Sequence, residues 1–510
     1  MTRCSFVLSM LLLSSLVSCK GTSHHVAVQL DGPLSPGTRS VLLFDDAVVD
    51  SKDGFELTMN PATRTDTPVL SPEMDWEEGG CTVPTVIAHD GLYRMWYVAT
   101  TKDGERRLCY ATSKDGINWI RPNLGLYEYN GDKNNNIVFT EAGSVFLDPV
   151  AEPAQRFKMI EGWRTKWKYR NVFDGGARFR YTDKPPETWH YSGVSGAYSS
   201  DGIRWTECGR NPIMPWYTDT RNVAFWDDQL KKYVAYIRWN EHFEVGDDGL
   251  VRGSFDYRAI GRSESDDFEN FPEPKKILEP DFDSAEDADL WGGGLYDTAA
   301  HKYPLADDAY FFFIAAYHHT SDTLDIQIAT SREGVCFRRW HEPFVRLGLD
   351  GSFDSKMMYM GIGMLPIGDE IWMYYGGYDA LHDQSEDGTY RPSIGRIRVR
   401  RDGFVSQDAA AEGGTLTTIP VVVQGSELEV NMDASSRGGL RVEIMDNSGR
   451  MLKGFSGDDA DRLDGNNVRN VATWKGNSDL SSLKGKTVRL RFVAESVKLY
   501  SFRFSEAPAS

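Results

Sequence analysis

Leu92-Tyr93-Arg94-Met95-Trp96-Tyr97-Val98-Ala99-Thr100, followed by Leu108-Cys109-Tyr110-Ala111-Thr112-Ser113-Lys114-Asp115-Gly116-Ile117-Asn118-Trp119, decides the fold. Two β-branched and aromatic runs, bounded by Gly, Asp and Asn, spell strand, turn, strand. The pair recurs four times. Comparable second strands start at Arg156 (RFKMIEGWR), Lys232 (KYVAYIRWN), Tyr310 (YFFFIAAYHH) and Glu370 (EIWMYYGGYD). Their third-strand partners start at Gly196 (GAYSSDGIRW), Ala259 (AIGRSESDDF), Ile326 (IQIATSREGVCF) and Ser393 (SIGRIRVRRDGF). Asp115-Gly116 and Asp201-Gly202 precede Trp119 and Trp205, as in hairpins leading to a fourth, outer strand. Five such units in order predict an all-β chain with a five-bladed β-propeller. Two β-sandwiches built from similar hairpins are the alternative.

Blades are expected at roughly 76–122, 141–212, 216–278, 287–348 and 352–405, inside a propeller at 40–408. Ser40-Val41-Leu42-Leu43-Phe44 is the expected ring-closing strand, because a closed ring covers exposed strand edges. After Glu412-Gly413-Gly414 the pattern changes to short alternating strands (GGTLTTIPVVV, SELEVNMDA, GLRVEIMDN, KTVRLRFVA, VKLYSFRFS), which predict a small β-sandwich at 413–507.

The N-terminus carries Arg3, an apolar run from Phe6 to Val17, and Leu16-Val17-Ser18-Cys19. The run is too short to span a bilayer. It resembles a bacterial lipoprotein signal over 1–19, with Cys19 lipidated and 20–39 a linker; a plain secretory leader is the alternative. The expectation is an exported, membrane-anchored protein, facing the periplasm or displayed at the cell surface. The net charge of −19 excludes a nucleic-acid partner and is neutral toward a sugar. Cys81, Cys109, Cys208 and Cys336 lack metal-ligand spacing and are expected to be buried thiols. His318-His319 should point to opposite faces of a strand, poor geometry for one metal. No cofactor is required, although a structural Ca²⁺ is compatible. Walker, nucleophile-elbow and His-Glu-x-x-His motifs are missing.

In a propeller, first-strand starts and second-to-third loops share one mouth of the channel, where ligands bind. Reading the first-strand starts gives Glu77 and Glu78, Asp148, Asp219 (with Arg221), Asp289 and Asp354. Paired carboxyls suit glycosidic bond cleavage, and crowding separates their pKa values. Each could equally be a turn or cap residue. The returning loops add Trp163, Arg164, Lys166 and Trp167; Arg238, Trp239, Glu241 and His242; Tyr317, His318 and His319; and Tyr378, Asp379 and His382. Aromatic rings stack on sugar faces while Arg, His and carboxylates bond hydroxyls, unless the rings serve the inter-blade core. The long loops 164–191 and 240–257 are expected to wall a cleft.

These motifs resemble the five-bladed glycosidases of glycoside hydrolase families 32 (invertase–levanase) and 43 (arabinanase–xylosidase) over residues 40–408. LFDDAVVDSKDGFELTMNP, ATSKDGINW and ATSREGVCFRRW are similar to exported family-32-like proteins, which carry a like C-terminal sandwich. Invertase-type enzymes have a nucleophile Asp in Asn-Asp-Pro-Asn-Gly, an Arg-Asp-Pro and a Glu-Cys acid. Here Asp148-Pro149 matches the second motif with Leu147 for its Arg. The nucleophile position falls on Thr82, which cannot serve, and Glu78 stands nearby. No Glu-Cys occurs in blade three, where Asp219 is the nearest acid; Glu207-Cys208 falls on an outer strand. The resemblance implies that Asp148 holds substrate hydroxyls, with Glu78 and Asp219 as acid and base. Trp163, Trp167, Arg221, Arg238, Trp239, Glu241, Asp289, His319, Asp354 and His382 are expected to bind substrate. The expected activity is an exported glycoside hydrolase acting on oligo- or polysaccharides. A non-catalytic glycan-binding lipoprotein and a glycoside phosphorylase are the alternatives.

Overall fold

The computed structural model describes residues 32–161, 166–168, 190–214, 216, 218, 220–239, 242–245, 250–254, 257–290, 294–384 and 390–507. For 166–168, 190–192, 242–245 and 250–254 the description is of backbone only. The chain is all-β. Five antiparallel four-stranded units form from the strand pairs read in the sequence. Blade one comprises Gly80–His89, Leu92–Thr100, Arg106–Ser113 and Ile137–Phe139. Blade two comprises Ser144–Leu147, Phe157–Glu161, Ser195–Ser199 and Thr206–Glu207. Blade three comprises Val223–Asp227, Lys232–Trp239, Ala259–Ser265 and Lys275–Leu278. Blade four comprises Gly294–Lys302, Tyr310–His318, Thr323–Ser331 and Arg338–Val345. Blade five comprises Met357–Met360, Glu370–Tyr378, Ser393–Arg400 and, from far upstream, Thr63–Arg64.

The inner strands of blades one to four lie side by side in order, blade four packs on Met357–Met360, and blade five returns to Gly80–His89. That closes the propeller. At the closure, Ile362 donates to the Pro84 carbonyl and accepts from Val86, both at 2.8 Å. Apolar clusters fill the joints: Trp96, Val145 and Phe157 between blades one and two, for example, and Met95, Tyr97, Tyr374 and Ile394 between five and one. Burying these faces is the main force that holds blade to blade.

Polar latches add direction. The Trp96 indole donates to the Gly202 carbonyl at 2.6 Å, Tyr236 to Gly334 at 2.9 Å, and Tyr374 to Gly116 at 2.7 Å. In each acceptor turn the glycine N–H donates to the hydroxyl of Ser113, Ser199 or Ser331 at 2.9 Å. The three glycines have φ between +73° and +76°. A Cβ on any of them would come within 2.6–2.7 Å of the latching ring or hydroxyl. Glycine is therefore required twice over, for conformation and for room.

Three details differ from the sequence expectation. Blade one ends at Ile137–Phe139, not near 122, because the chain after Trp119 makes only an isolated bridge between Ile120 and Thr112 before the true outer strand. The ring is closed by Thr63–Arg64, not by Ser40–Phe44. Val41–Leu42 instead pairs with Val497–Ser505 in the sandwich. That sandwich is discontinuous in sequence. One sheet runs Phe55–Met59, Val405–Ala409, Val497–Ser505, Glu427–Asp433, Asn466–Val471; the other runs Val49–Asp53, Gly414–Thr418, Thr487–Glu495, Val421–Val422, with Gly439–Asp446 also on Thr487–Glu495. Val41, Leu43, Val48 and Phe55 sit in its core beside Leu416, Phe492 and Phe502. Residues 41–59 and 405–408, read as propeller from sequence, thus belong with the C-terminal strands. Cys81, Cys109 and Cys208 are buried free thiols as expected, whereas Cys336 is only half-buried.

Candidate functional site

Strand direction fixes which end of the channel collects the second-to-third loops. Ser144, Gly294 and Met357 begin inner strands opposite Ile160, Tyr317 and Tyr378, near the ends of second strands. Two irregularities shape this mouth. In blade four, Leu295 pairs with Ala316 and Asp297 with Ala315, so Tyr296 is an extra, bulged residue. In blade one a second bulge lies between Thr82 and Thr85, with Val83 at φ +51°. A β-branched residue in that region is strained, and such strain gathers at functional sites.

Around these bulges the side chains form a continuous aromatic and charged rim across blades three, four, five and one. The Arg238 guanidinium donates to the Tyr296 carbonyl and lies 4.8 Å from its ring centroid; Arg258 covers the same ring at 4.4 Å. Arg221 pairs with Asp297, whose other oxygen accepts from Thr220 at 3.3 Å. Nε and one terminal nitrogen of Arg221 are buried without a hydrogen-bond partner among the described residues. Tyr296 meets His382 at 5.0 Å and Tyr359 at 5.8 Å, Tyr359 meets Tyr378 at 5.4 Å, and Tyr378 donates to the Thr82 hydroxyl at 3.0 Å. Asp322, His382 and Asp383 each present a ligand atom within 4.8 Å of the others, close enough to share a divalent cation. Asp322 is already fixed by the Tyr317 hydroxyl (2.8 Å) and the Asp383 N–H (2.9 Å).

Glu161 ends the second strand of blade two, at the mouth end. It is 4% exposed, and its Oε2 has no hydrogen-bond partner among the described residues. Burial, and then the charges of Glu141 and Glu207, raise its carboxyl to about 8. It is therefore protonated at neutral pH.

The residues chosen from sequence divide sharply. Arg221, Arg238 and His382 belong to the rim. Asp148 does not: it follows the last residue of its inner strand, at the opposite end of the channel. There it is fully buried, accepting from Lys158 Nζ at 2.5 Å and from the Tyr233 hydroxyl at 2.7 Å. Its reading as a first-strand start is corrected, because the strand precedes it and does not follow. Glu78 is exposed behind the short 3₁₀ turn Asp75–Glu77, while its neighbour Glu77 is buried against Arg121 (2.8 Å) and Tyr97 (2.5 Å). Asp354 is consumed structurally by Tyr375 (2.6 Å), Ser352 (2.8 Å) and Arg64 (3.2 Å). Trp239 is an inter-blade core residue stacked near Trp216 at 5.1 Å, not a sugar platform. Asp289 faces His318 at 3.3 Å and caps the turn at Thr320, and His319 is exposed beside it. His318, held between Asp289 and Asp325, has its pKa raised chiefly by the Asp325 hydrogen bond. Asp219, Trp163, Glu241 and Cys19 lie outside the described residues, as does the Trp167 side chain. Backbone strands from the two long loops, His190–Ser192 and Leu250–Ser254, pair in parallel and link blades two and three.

Sequence reasoning missed Tyr296, Asp297, Tyr359, Arg258 and Glu161. A bulge leaves no sequence mark, so Tyr296 and Asp297 were not legible. Glu161 was: it is the acid that closes the buried strand Phe157–Glu161.

No family model matches the chain. Over 87 residues it is 39% identical to 1,2-β-oligomannan phosphorylase of Thermoanaerobacter sp. (strain X514), a match to 16% of this chain and 27% of that protein. The matched stretch thus spans about a quarter of that relative's length. Among solved structures, a glycosyl hydrolase from Bacteroides ovatus is similar at 14% identity and a TM-score of 0.41, covering 68% of this chain and 97% of that one. A structure from work on the GH130 family of mannoside phosphorylases, said to contain glycoside hydrolases that target β-1,2 mannosidic linkages in Candida mannan, is similar at 15% identity and a TM-score of 0.40, covering 67% and 94%.

Proposed function

We propose that the chain is an exported, lipid-anchored glycan-active enzyme that cleaves glycosidic bonds by hydrolysis at the propeller mouth. The observation that carries this reading is the rim itself: a bulged tyrosine flanked by guanidiniums, an Arg221–Asp297 pair and further tyrosines at the mouth end of the blades. Tyrosine faces stack on sugar rings and the polar groups bond hydroxyls, the chemistry of a saccharide site. Screening the full-length protein against oligo- and polysaccharides tests it: new reducing ends in phosphate-free buffer are expected. Binding without product on prolonged incubation would instead make the protein a glycan receptor.

A second reading, phosphorolysis, is favoured by the two arginines on Tyr296 and by the name of the matched relative. Release of a sugar 1-phosphate, dependent on inorganic phosphate, would replace hydrolysis with it. The anchor has its own test. Cys19→Ala should abolish lipid labelling and release the protein to the soluble fraction; a labelled, membrane-bound variant would refute the lipoprotein reading.

A further inference from the structure

At the mouth end of blade two the second strand outruns the inner one. Its inner strand starts at Ser144, which pairs with Ile160, so Glu161 extends one residue beyond it. Continuing that register places Gly143 opposite Glu161. A Cβ on Gly143 would sit 2.5 Å from Met159 Cγ, so the chain crosses tightly there with no side chain of its own. A buried carboxyl with an unmatched oxygen costs free energy unless it stays protonated or finds a partner on binding. Such groups collect where chemistry needs them.

Resting on the glycan-cleaving reading above, we propose that Glu161 is the catalytic proton donor of this mouth. Its carboxyl proton passes to the glycosidic oxygen as the bond from that oxygen to the anomeric carbon breaks, and the leaving sugar departs as an alcohol. A water oxygen bonds to the anomeric carbon and loses its proton to solvent, from which the Glu161 carboxylate is reprotonated. Glu141 and Glu207 contribute by opposing the carboxylate form, and burial does most of that work. The role differs from the sequence expectation, which gave acid catalysis to Glu78 or Asp219.

The test compares two leaving groups. On the glycan found by screening, Glu161→Gln should lose on the order of 10²–10⁴ in kcat. On the matching dinitrophenyl glycoside, whose leaving group needs no proton, it should stay within about tenfold of wild type, since only the acid's contribution is removed. The wild-type fall in kcat/KM above about pH 8 should vanish in the variant. Should Glu161→Gln not fold, Glu161→Asp decides: it should be slower yet keep the alkaline fall. Near-wild-type glycan cleavage by Glu161→Gln overturns the proposal alone, as does an equal loss on both substrates with an unchanged pH profile. A wild type that cleaves no glycoside at all overturns the glycan-cleaving reading and the proposal with it.

Discussion

Asp148 and Glu161 are both buried acids of blade two, thirteen positions apart and at opposite ends of its sheet. Asp148 sits with Lys158, whose ammonium also faces the rings of Tyr233 (4.6 Å) and Phe268 (5.1 Å). Removing one partner of a buried pair leaves an uncompensated charge. Asp148→Asn should therefore destabilise the fold by about 3–5 kcal/mol in denaturant titrations, while the folded fraction keeps its turnover. A stable variant with collapsed turnover would restore the catalytic reading of Asp148. Glu161 behaves in the opposite sense. Its folded pKa, about 8, lies above the usual carboxylate value, so the folded state holds a proton that the unfolded chain gives up. Stability from this group is full below about pH 4.5 and is lost as pH rises toward 8. Glu161→Gln should thus raise stability at pH 7–8 by about 3–4 kcal/mol, read as a higher melting temperature, and change little at pH 4. No difference at either pH would mean that Glu161 is not held protonated. At this scale the sequence exposes residue types but not which end of a strand they occupy. Asp148-Pro149 reads as a motif, yet only the register shows that its strand comes first.

Between residue and molecule, the recurring device is the Ser-x-Asp/Glu-Gly turn clasped by an aromatic from the adjoining blade. Its Ser and Gly were legible as turn chemistry, and the period of the blades followed from them. The clasp was not legible, because its donor lies about a hundred or more positions away, as Trp96 does from Gly202. Gly202→Ala should cost about 2–4 kcal/mol, combining left-handed backbone strain with the approach of the new Cβ to Trp96. Trp96→Phe should cost about 1 kcal/mol beyond its lost contacts, since the Gly202 carbonyl loses its donor. In a double-mutant cycle with Trp96→Ala, the Gly202→Ala cost should shrink, because the cavity accepts the methyl group. Strict additivity would show that ring and turn are not coupled. The mouth depends on elements of the other kind, the two bulges, which break a regular ladder and re-aim Tyr296 and Thr82. That is why blade number was readable from spacing while the rim was not.

For the whole molecule, the two units are interleaved in sequence. Arg332 ties them, reaching Asp45 at 2.8 Å, Asp308 at 2.7 Å and the Leu42 carbonyl at 2.7 Å. Arg400 bonds Asn431 at 2.7 Å, and Asp402 accepts from both Tyr303 (2.6 Å) and Ser501 (2.7 Å). Truncation after Ala410 removes the partners of Val41, Val48 and Phe55 and should yield an aggregated or non-cooperatively melting product. A monomeric, cooperatively melting fragment would show that the propeller does not need the sandwich. The sandwich strands were legible after Gly414 from their alternation, but their partners at 41–59 were not, being more than 350 positions away. The pairing of Val41 with Phe502 carries one more consequence, in time. A chain delivered N-terminus first presents Val41–Leu42, Val49–Asp53 and Phe55–Met59 long before their strand partners emerge. The blades can close while those early strands wait as open edges, vulnerable to pairing with other chains. Val497–Ser505 thus completes, late in synthesis, the sheet edge that Val41–Leu42 left open early.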